Sequence, residues 1–251
     1  MNLLLDIGNT GIKWATWDGV RLGTMGSARH FGGLPIDLLA NWEQLPPPCA
    51  VLLAGVGPPA VVTSATRACE SLWQCQPRVI ATSAASQGVR IAYADPARLG
   101  VDRFLALIGA HHLTDGPKLI IDAGTAVTYD LLLTDGTHLG GAILPGIGLM
   151  RESLLTRTHI PHDEPVASDR AWAADTAGAI AAASIQAPAA LAERLHQRLA
   201  ERGGSADQPV MVLLTGGDAE RLLPAIALPV IHQPDLVLQG LSRFAMPPAP
   251  A

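Results

Sequence analysis

The sequence predicts an α/β protein of two similar halves, each with a mixed sheet and helices. Two stretches share one order of residues, "LLLDIGNTGIKWATWDG" at 3–19 and "LIIDAGTAVTYDLLLTDG" at 119–136. In each, an apolar run leads through Asp, Gly and Thr to a second strand-like run that ends in Asp-Gly. This dipeptide is typical of a hairpin, because both central residues of a type I′ turn need a positive φ. Hairpin strands that then alternate with helices favour mixed α/β halves.

The first half, residues 1–116, begins with the two strands of this hairpin and a third strand at 20–25. The later run "AVLLAGV" is short, continuous and apolar, as expected for a buried strand. The later elements of this half are a helix near 36–44, a strand at 50–56, a helix near 58–73, a strand at 78–81 and a helix over 103–112.

The second half, residues 117–246, repeats the hairpin and has its third strand at 137–144. In its alanine-rich helix, Pro188 is expected to mark a kink or a boundary. A hinge is expected near "TDGP" at 114–117, and residues 247–251 are expected to fray. The later elements are a helix over 149–158, a long helix over about 176–201, a strand at 210–217, a short helix at 218–223 and a last strand near 229–232.

The composition indicates a globular protein that acts on a small molecule. The 251 residues are 49% hydrophobic, enough for a sizeable core, and the net charge is −5. The 17 Lys and Arg residues are spread along the chain, which argues against binding to nucleic acid or an anionic membrane. Cys49, Cys69 and Cys75 lack C-x-x-C spacing, so neither a disulfide framework nor a zinc site is expected. Because neither a signal peptide nor an apolar run of roughly 20 residues is present, a cytoplasmic protein is predicted.

A polar turn follows the first predicted strand. Asp6 ends the strand, and Gly8, Asn9, Thr10 and Lys13 follow it. Backbone amides and a hydroxyl in such a turn can surround phosphate oxygens. The carboxylate of Asp6 suits a Mg²⁺ ion held through water, and Lys13 suits the charge of a transferred phosphoryl group. For a single copy, the alternative is a turn that only reverses the chain.

Two further turns favour phosphate binding over that alternative. The second copy places Asp122 and Thr125 after the strand that opens the second half. The third turn is "LLTGGD" at 213–218, where Gly216 and Gly217 offer bare backbone to a flat ring or a ribose. Two Asp-Gly turns and a Gly-Gly turn, in this order, resemble the actin, Hsp70 and sugar-kinase superfamily. The resemblance implies two ribonuclease H-like halves with ATP in the cleft between them.

The stretch "YADPARLGVDRFLALIGA" at 93–110 indicates what accepts the phosphoryl group. Asp102 and Arg103 follow Gly100 at the start of a predicted helix, and Tyr93 lies upstream. A carboxylate beside a cation offers a general base and a clamp for an anionic group. The alternative is that Asp102 is only the N-cap of the helix, where it would accept amide hydrogen bonds from the first turn.

Five motifs together resemble type III pantothenate kinases over nearly the whole chain. They are D-x-G-N-T-x-x-K, Y-x₆-G-x-D-R, I-D-A-G-T, G-G-A-I-x-P-G at 140–146 and T-G-G-D-A, and they occur in the order of that family. The resemblance implies that the protein phosphorylates pantothenate at its terminal hydroxyl with ATP, the first step of coenzyme A biosynthesis. It also implies a homodimer in which the substrate pocket is completed at or near the dimer interface.

The same resemblance implies roles for single residues. Asp102 is the expected general base, and Asp122 is the expected ligand of a monovalent cation, K⁺ or NH₄⁺. Asp6, the expected Mg²⁺ ligand through water on chemical grounds, falls in the family's first phosphate loop. The chain departs from the family at Phe104, where Trp is usual, and at Asp175, where Asn is frequent. The expected ATP-binding residues are Asp6, Ile7, Gly8, Asn9, Thr10, Gly11, Ile12, Lys13, Thr125, Gly216 and Gly217. The expected pantothenate-binding residues are Tyr93, Gly100, Val101, Asp102, Arg103 and Thr176.

Three other functions are alternatives. A nucleotide-dependent switch of the actin or Hsp70 type needs extra subdomains, for which 251 residues leave little room. A catalytically idle homologue in gene regulation would have no need of charged residues such as Asp6, Lys13 and Asp102. A sugar kinase or polyphosphate phosphatase of the same superfamily is the nearest competitor, although the sequence lacks the Cys/His zinc cluster that is common in repressor-type sugar kinases.

Overall fold

In the computed structural model the described residues are 1–160, 171–205 and 207–245. The tail that is expected to fray, 247–251, lies outside them. None of the helices in the described ranges combines the length and the apolar composition that crossing a bilayer requires.

The chain divides into two units with the same sheet. One unit is Met1–Leu113 together with the segment from Asp235 onward, and the other is Thr114–Pro234. Each is built on a five-stranded mixed sheet, and the strand order of the two sheets is the same when their strands are numbered from the first hairpin. The structure therefore confirms the α/β fold with a duplicated hairpin-led sheet that the repeat in the sequence predicts.

The first unit has a sheet of order β3-β2-β1-β4-β5, in which β1 is antiparallel to β2 and parallel to β4. The strands are β1 (Asn2–Ile7), β2 (Gly11–Trp17), β3 (Gly26–Arg29), β4 (Ala50–Gly55) and β5 (Arg78–Val79), with a separate ribbon of β6 (Ala85–Ser86) and β7 (Val89–Arg90). The helices are α1 (Ile36–Glu43), α2 (Pro59–Trp73) and α3 (Val101–Leu113), with a 3₁₀ turn at Pro96–Arg98.

The second unit repeats the arrangement in the order β10-β9-β8-β11-β12. Its strands are β8 (Lys118–Ala123), β9 (Ala126–Leu132), β10 (His138–Pro145), β11 (Met211–Thr215) and β12 (Val230–His232). Its helices are α4 (Ile147–Arg157), α5 (Thr176–Gly203) and α6 (Ala219–Leu222), followed by a 3₁₀ turn at Leu223–Ala225. The chain then returns to the first unit as helix α7 (Leu236–Ser242).

The two faces of the first sheet are covered by different helices. Leu3, Leu5 and Ile7 of β1 are buried in one cluster with residues of α1 and α2, including Trp42. Side chains alternate along a strand, so Asp6 shares the opposite face with Leu4. Helix α7 packs against β1 and helix α3 against β4, and the two helices pack on each other.

The second sheet is covered on one face by α5. Leu119, Ile121 and Ala123 of β8 share a buried cluster with Ala189 and other residues of this helix. The buried hydroxyl of Tyr129 donates a hydrogen bond of 2.8 Å to the carbonyl oxygen of Pro188. Helix α5 continues through this proline, so the residue marks no helix boundary.

The third strand of the first sheet lies later in the chain than the sequence predicts. Strand β3 begins at Gly26, whereas the prediction is 20–25. In the segment between the strands, the Asp18 carboxylate accepts hydrogen bonds from the amides of Val20 and Arg21, each at 2.7 Å. These bonds hold the chain in a turn, and it pairs as a regular strand only after this turn.

Neither Asp-Gly hairpin is a type I′ turn. Gly19 and Gly136 have φ angles of +108° and +80°, but among the non-glycine residues that the structure describes only Gln74 and Gln87 have a positive φ. In the second hairpin the Gly136 amide donates to the Leu133 carbonyl oxygen at 3.0 Å. This is a type I turn followed by a left-handed glycine. Asp-Gly therefore predicts the hairpins correctly but gives the wrong turn type.

Helix α7 is absent from the sequence prediction, which assigns residues up to 246 to the second half. In the structure α7 packs on α3 in the first unit. A Cβ added at Gly240 would overlap the carbonyl oxygen of Leu105, and one added at Gly109 would overlap that of Leu236. Two glycines therefore let these helix backbones approach closely, and this contact joins α7 to the first unit.

We expect Gly240→Ala to lower the free energy of unfolding by about 1–3 kcal/mol, because overlap with a backbone oxygen cannot be relieved by a change of rotamer. Gly148→Ala in α4 is the matched control, since a Cβ there meets nothing within 4 Å. Urea unfolding followed by circular dichroism compares the two variants with the wild type. A Gly240→Ala midpoint equal to that of the wild type would contradict the close approach of α3 and α7.

Candidate active site

The first polar turn joins β1 to β2 at the end of the central strand. Asp6 lies opposite Lys13 in the antiparallel register, so both side chains leave the same face of the sheet. The amide of Gly8 donates to the carbonyl oxygen of Gly11 at 2.8 Å, and Asn9 is exposed at the tip. Because the Gly8 amide is bound within the turn, it is not a donor to phosphate.

Two of the expected ATP-binding residues face the core with their side chains. Ile7 and Ile12 are fully buried in the cluster that α1 and α2 cover. Because their side chains are in the core, only their backbone groups are available to the polar turn. Their role as nucleotide contacts is therefore restricted to the backbone.

The second polar turn joins β8 to β9 and repeats this geometry. Asp122 occupies the position of Asp6 and lies opposite Thr128, where the first unit has Lys13. The Gly124 amide donates to the carbonyl oxygen of Ala126 at 2.9 Å. The two turns thus share a carboxylate and a glycine, but only the first has a lysine across from the carboxylate.

The third turn packs directly on the second. Strand β11 runs parallel to β8, and Gly216 follows it with a φ of +100°. A Cβ at Gly216 would overlap the Ala123 carbonyl oxygen and lie 2.5 Å from Oδ1 of Asp122, so both the φ angle and the space require glycine. A Cβ at Gly217 would meet nothing within 4 Å. The structure thus brings Asp122 together with one of the two adenosine-turn glycines.

Asp102 lies in the first turn of α3. Its Oδ1 accepts a hydrogen bond of 2.8 Å from the amide of Arg103. A Cβ at Gly100 would lie 2.5 Å from this same oxygen, so the glycine makes room for the carboxylate. The helix begins at Val101, and the residue before it is Gly100. Asp102 is therefore the second residue of the helix rather than its N-cap, although its carboxylate accepts one amide of the first turn, as the alternative interpretation expects.

Arg103 is held by Tyr93. The arginine is 6% exposed, and its Nη1 donates a hydrogen bond of 3.1 Å to the tyrosine hydroxyl. The guanidinium carbon also lies 5.8 Å from the centroid of the tyrosine ring, within the range of a cation–π contact. The tyrosine fixes the position of the buried positive charge beside Asp102.

One face of the first sheet carries most of the candidate groups of that unit. Asp6 and Lys13 leave the face against which α3 and α7 pack, and Asp102 is the second residue of α3. The first turn and the candidate base therefore lie on the same side of one sheet. Action of Asp102 at a phosphate held by this turn needs the two on a common side of the sheet.

Thr176 lies elsewhere, at the start of α5 in the second unit. The preceding residue, Asp175, is the N-cap of this helix, and its Oδ1 accepts a hydrogen bond of 2.7 Å from the amide of Gly178. Asp thus supplies the capping oxygen that Asn would otherwise supply. The threonine is exposed and borders a shallow, open surface depression of about 570 Å³. The depression is lined by Leu154, Ala173, Ala174, Asp175, Thr176, Ala179, Ile180 and Ala183.

Three residues that contact the polar turns are missing from the sequence-based list. Nε2 of His30 lies 2.9 Å from the Gly8 carbonyl oxygen. A Cβ at Gly57 would overlap the Gly8 carbonyl oxygen, and one at Gly146 would overlap that of Gly124. The motif at 140–146 could have indicated Gly146, but no local signal marks His30.

Burial shifts the pKa values of three groups that lie outside these turns. Burial raises the pKa of the Cys69 thiol to about 12 and also raises the pKa of Tyr129. Burial lowers the pKa of Lys118, whose Nζ donates to the Gly116 carbonyl oxygen at 2.6 Å. Cys69 and Tyr129 therefore stay protonated near neutral pH, which excludes them as nucleophile or base.

Comparison with known proteins identifies the family. The family model described as type III pantothenate kinase matches residues 2–198. A type III pantothenate kinase from Nitrosococcus oceani is 35% identical over 253 residues, covering 98% of this chain and 94% of the relative. The chain belongs to the type III pantothenate kinase family. Its members are kinases, so ATP and a metal ion take part in the reaction.

Solved structures support the fold of this pantothenate kinase family member. A Campylobacter jejuni protein assigned to the Baf family of transcriptional activators has a TM-score of 0.58 at 18% identity, with 96% of both chains covered. A Sinorhizobium meliloti protein assigned as a 2-dehydro-3-deoxygalactonokinase has a TM-score of 0.60 at 16% identity, with 98% of both covered. At such identities the likeness shows the fold alone.

We expect Tyr93→Phe to raise the KM for pantothenate about tenfold and to leave the KM for ATP unchanged, because a hydrogen bond to a charged group contributes about 1.5 kcal/mol or more. Tyr129→Phe is the control at the other tyrosine of the chain, and it should lower stability without changing either KM. Steady-state kinetics measures both variants. An unchanged KM for pantothenate in Tyr93→Phe would show that Arg103 does not need the hydroxyl.

Proposed function

We propose that this member of the family transfers the γ-phosphoryl group of ATP to the terminal hydroxyl of pantothenate, the first step of coenzyme A biosynthesis. The observation that carries the proposal is the position of Asp102. Its carboxylate follows a glycine that makes room for it and precedes a buried arginine. It also lies on the same side of the sheet as the first phosphate turn.

Asp102 accepts the proton of the pantothenate hydroxyl as the oxygen attacks phosphorus. In a loose transition state the nucleophile gains little negative charge, so orienting the hydroxyl contributes more than strong basicity does. Arg103 binds the carboxylate of pantothenate as a charge-assisted pair. The hydroxyl and ring of Tyr93 support this role, because they keep the guanidinium from turning away.

The first turn binds the phosphates through its backbone and Lys13. Asp6 is the proposed Mg²⁺ ligand, acting through water. A magnesium ion bound to ATP needs only one or two protein carboxylates besides water and phosphates. Asp6 supplies one such carboxylate, half-buried near the end of β1. When bound, Mg²⁺ neutralises charge on the phosphates.

Asp122 is the proposed ligand of a monovalent cation, K⁺ or NH₄⁺. Its Oδ1 lies beside the backbone of Gly216 and close to that of Gly124. A carboxylate oxygen is therefore next to both the second turn, the proposed phosphate contact, and the third turn, the proposed adenosine contact. When bound, the cation adds positive potential near the phosphates. Thr125 is the proposed ATP contact of the second turn, and Gly216 and Gly217 are the proposed adenosine contacts.

Thr176 is the proposed pantothenate contact of the second unit, in a homodimer that completes the pocket. Leu149 and Leu154 in α4 and Trp172 shortly before α5 are large exposed apolar side chains, Trp172 by 73%. Helix α4 packs on α5. Exposed apolar groups of this size favour burial by a partner. The location of ATP between the halves and the cytoplasmic location both remain predictions from the sequence.

We expect Asp102→Asn to lower kcat by about a hundredfold or more, because the asparagine amide has nearly the size of the carboxylate but cannot accept a proton as a base. The KM for ATP should change little. Asp18→Asn is the matched control, because Asp18 is a turn residue whose side chain accepts amides of its own hairpin. Wild-type turnover in Asp102→Asn would refute the assignment of the base.

A coupled assay of ATP consumption tests the substrate. We expect turnover with pantothenate and none with a panel of sugars, and we expect turnover to depend on K⁺ or NH₄⁺. Asp122→Asn should lose this dependence on the monovalent cation, because the ligand charge is removed. Turnover with a sugar, or none with pantothenate in the presence of K⁺, would overturn the proposed function.

A further inference from the structure

The Gly8 carbonyl oxygen in the first turn is held by His30, the residue that follows β3. The imidazole Nε2 lies 2.9 Å from this oxygen, and the backbone amide of His30 donates to the Thr10 carbonyl oxygen at 3.1 Å. The histidine is only 6% exposed. One residue therefore binds the turn at two points, although it belongs to neither strand of the hairpin.

The hydrogen bond fixes the tautomer of the imidazole. A carbonyl oxygen can only accept, so Nε2 carries the proton and donates. Nδ1 is buried and has no hydrogen-bond partner among the described residues. A buried polar atom without a partner costs stability. His30 is therefore a poor choice for stability alone at this position, and its bond to the turn suggests a functional reason for it.

The orientation of one carbonyl group determines the orientation of the next amide. The peptide bond between Gly8 and Asn9 is planar, and no cis peptide bond occurs among the described residues. In a trans peptide the carbonyl oxygen and the amide hydrogen point in opposite directions. Because the Gly8 oxygen points to the buried imidazole, the Asn9 N–H points away from it, at the exposed tip of the turn.

A second segment restricts the same carbonyl group. The amides of Val56 and Gly57 both donate to the carbonyl oxygen of Ile7 at 3.0 Å, which places this loop against the turn. A Cβ at Gly57 would overlap the Gly8 carbonyl oxygen. The oxygen is therefore close to both the imidazole and the Gly57 backbone.

We propose that His30 is a positioning residue for the nucleotide phosphates, which holds the Gly8 carbonyl group turned inward so that the Asn9 amide faces the phosphate. If the peptide rotated, a carbonyl oxygen would face the anionic phosphate in place of a donor. The inference rests on the proposed function only in that the first turn binds ATP, and it does not depend on the acceptor being pantothenate.

The test compares three histidine variants of the full-length protein. His30→Phe keeps an aromatic ring without a donor, and His30→Gln keeps an amide donor that can reach the carbonyl oxygen. His112→Phe is the matched control, because its Nε2 lies 3.0 Å from the Gln87 carbonyl oxygen in the same unit, away from the turn. Calorimetry with Mg·ATP gives the dissociation constant, and steady-state kinetics gives both KM values.

We expect His30→Phe to raise the ATP dissociation constant and the KM for ATP about tenfold or more, because the Asn9 amide is lost as a donor to the charged phosphate. The KM for pantothenate should stay unchanged, and His30→Gln should bind ATP within about threefold of the wild type. Equal ATP binding by His30→Phe and the wild type would overturn the proposal. So would equal losses in His30→Phe and His30→Gln, or a rise in the KM for pantothenate alone.

Gly57→Ala decides the matter if His30→Phe does not fold. The added Cβ overlaps the Gly8 carbonyl oxygen and must displace it, so this variant should also weaken binding of Mg·ATP. Wild-type ATP affinity in folded Gly57→Ala would overturn the proposal. Since ATP binding is measured without an acceptor, a wild-type enzyme that binds ATP but does not turn over pantothenate would refute the proposed function and leave the role of His30 standing.

Discussion

Burial of the central strand on both faces is the constraint on which each unit depends. Strand β1 is apolar from Leu3 to Leu5 because helices cover both sides of the sheet, and a polar side chain is tolerated only near the strand end. Asp6 is half-buried at that point. The position of the Asp6 carboxylate and of the polar turn is therefore set by the point at which the helices no longer cover the sheet.

The two units use the same backbone with different side chains. In both, a glycine from another segment packs on the carbonyl oxygen of the turn glycine, Gly57 on Gly8 and Gly146 on Gly124. Only the first unit adds a lysine opposite the carboxylate, and only the second brings a third turn against its carboxylate. These glycines come from non-equivalent segments, since Gly57 follows β4 and Gly146 follows β10, so the two units reach a similar packing of the turn from different strands.

The sequence predicts what local patterns encode and misses what distant contacts decide. The repeat predicts two equivalent sheets because the strand, turn and hairpin signals are contiguous. Strand β3 is misplaced because a side chain, Asp18, competes for the amides of the turn. His30 is missed because its role depends on a carbonyl group 22 residues away, which spacing does not reveal. The roles of Asp102 and Thr176 come from family resemblance, since pattern alone also allows a helix cap.

The contact between α3 and α7 has a consequence for how the chain is made. The first unit is discontinuous, because the whole of the second unit lies between its two segments. On the ribosome, α3 and β1 emerge early but must wait for α7 before the face beside Asp6 can be covered. The second unit is contiguous, so it can complete its folding before the first. The unit that carries the proposed base is thus the first to be translated and the last to complete its folding.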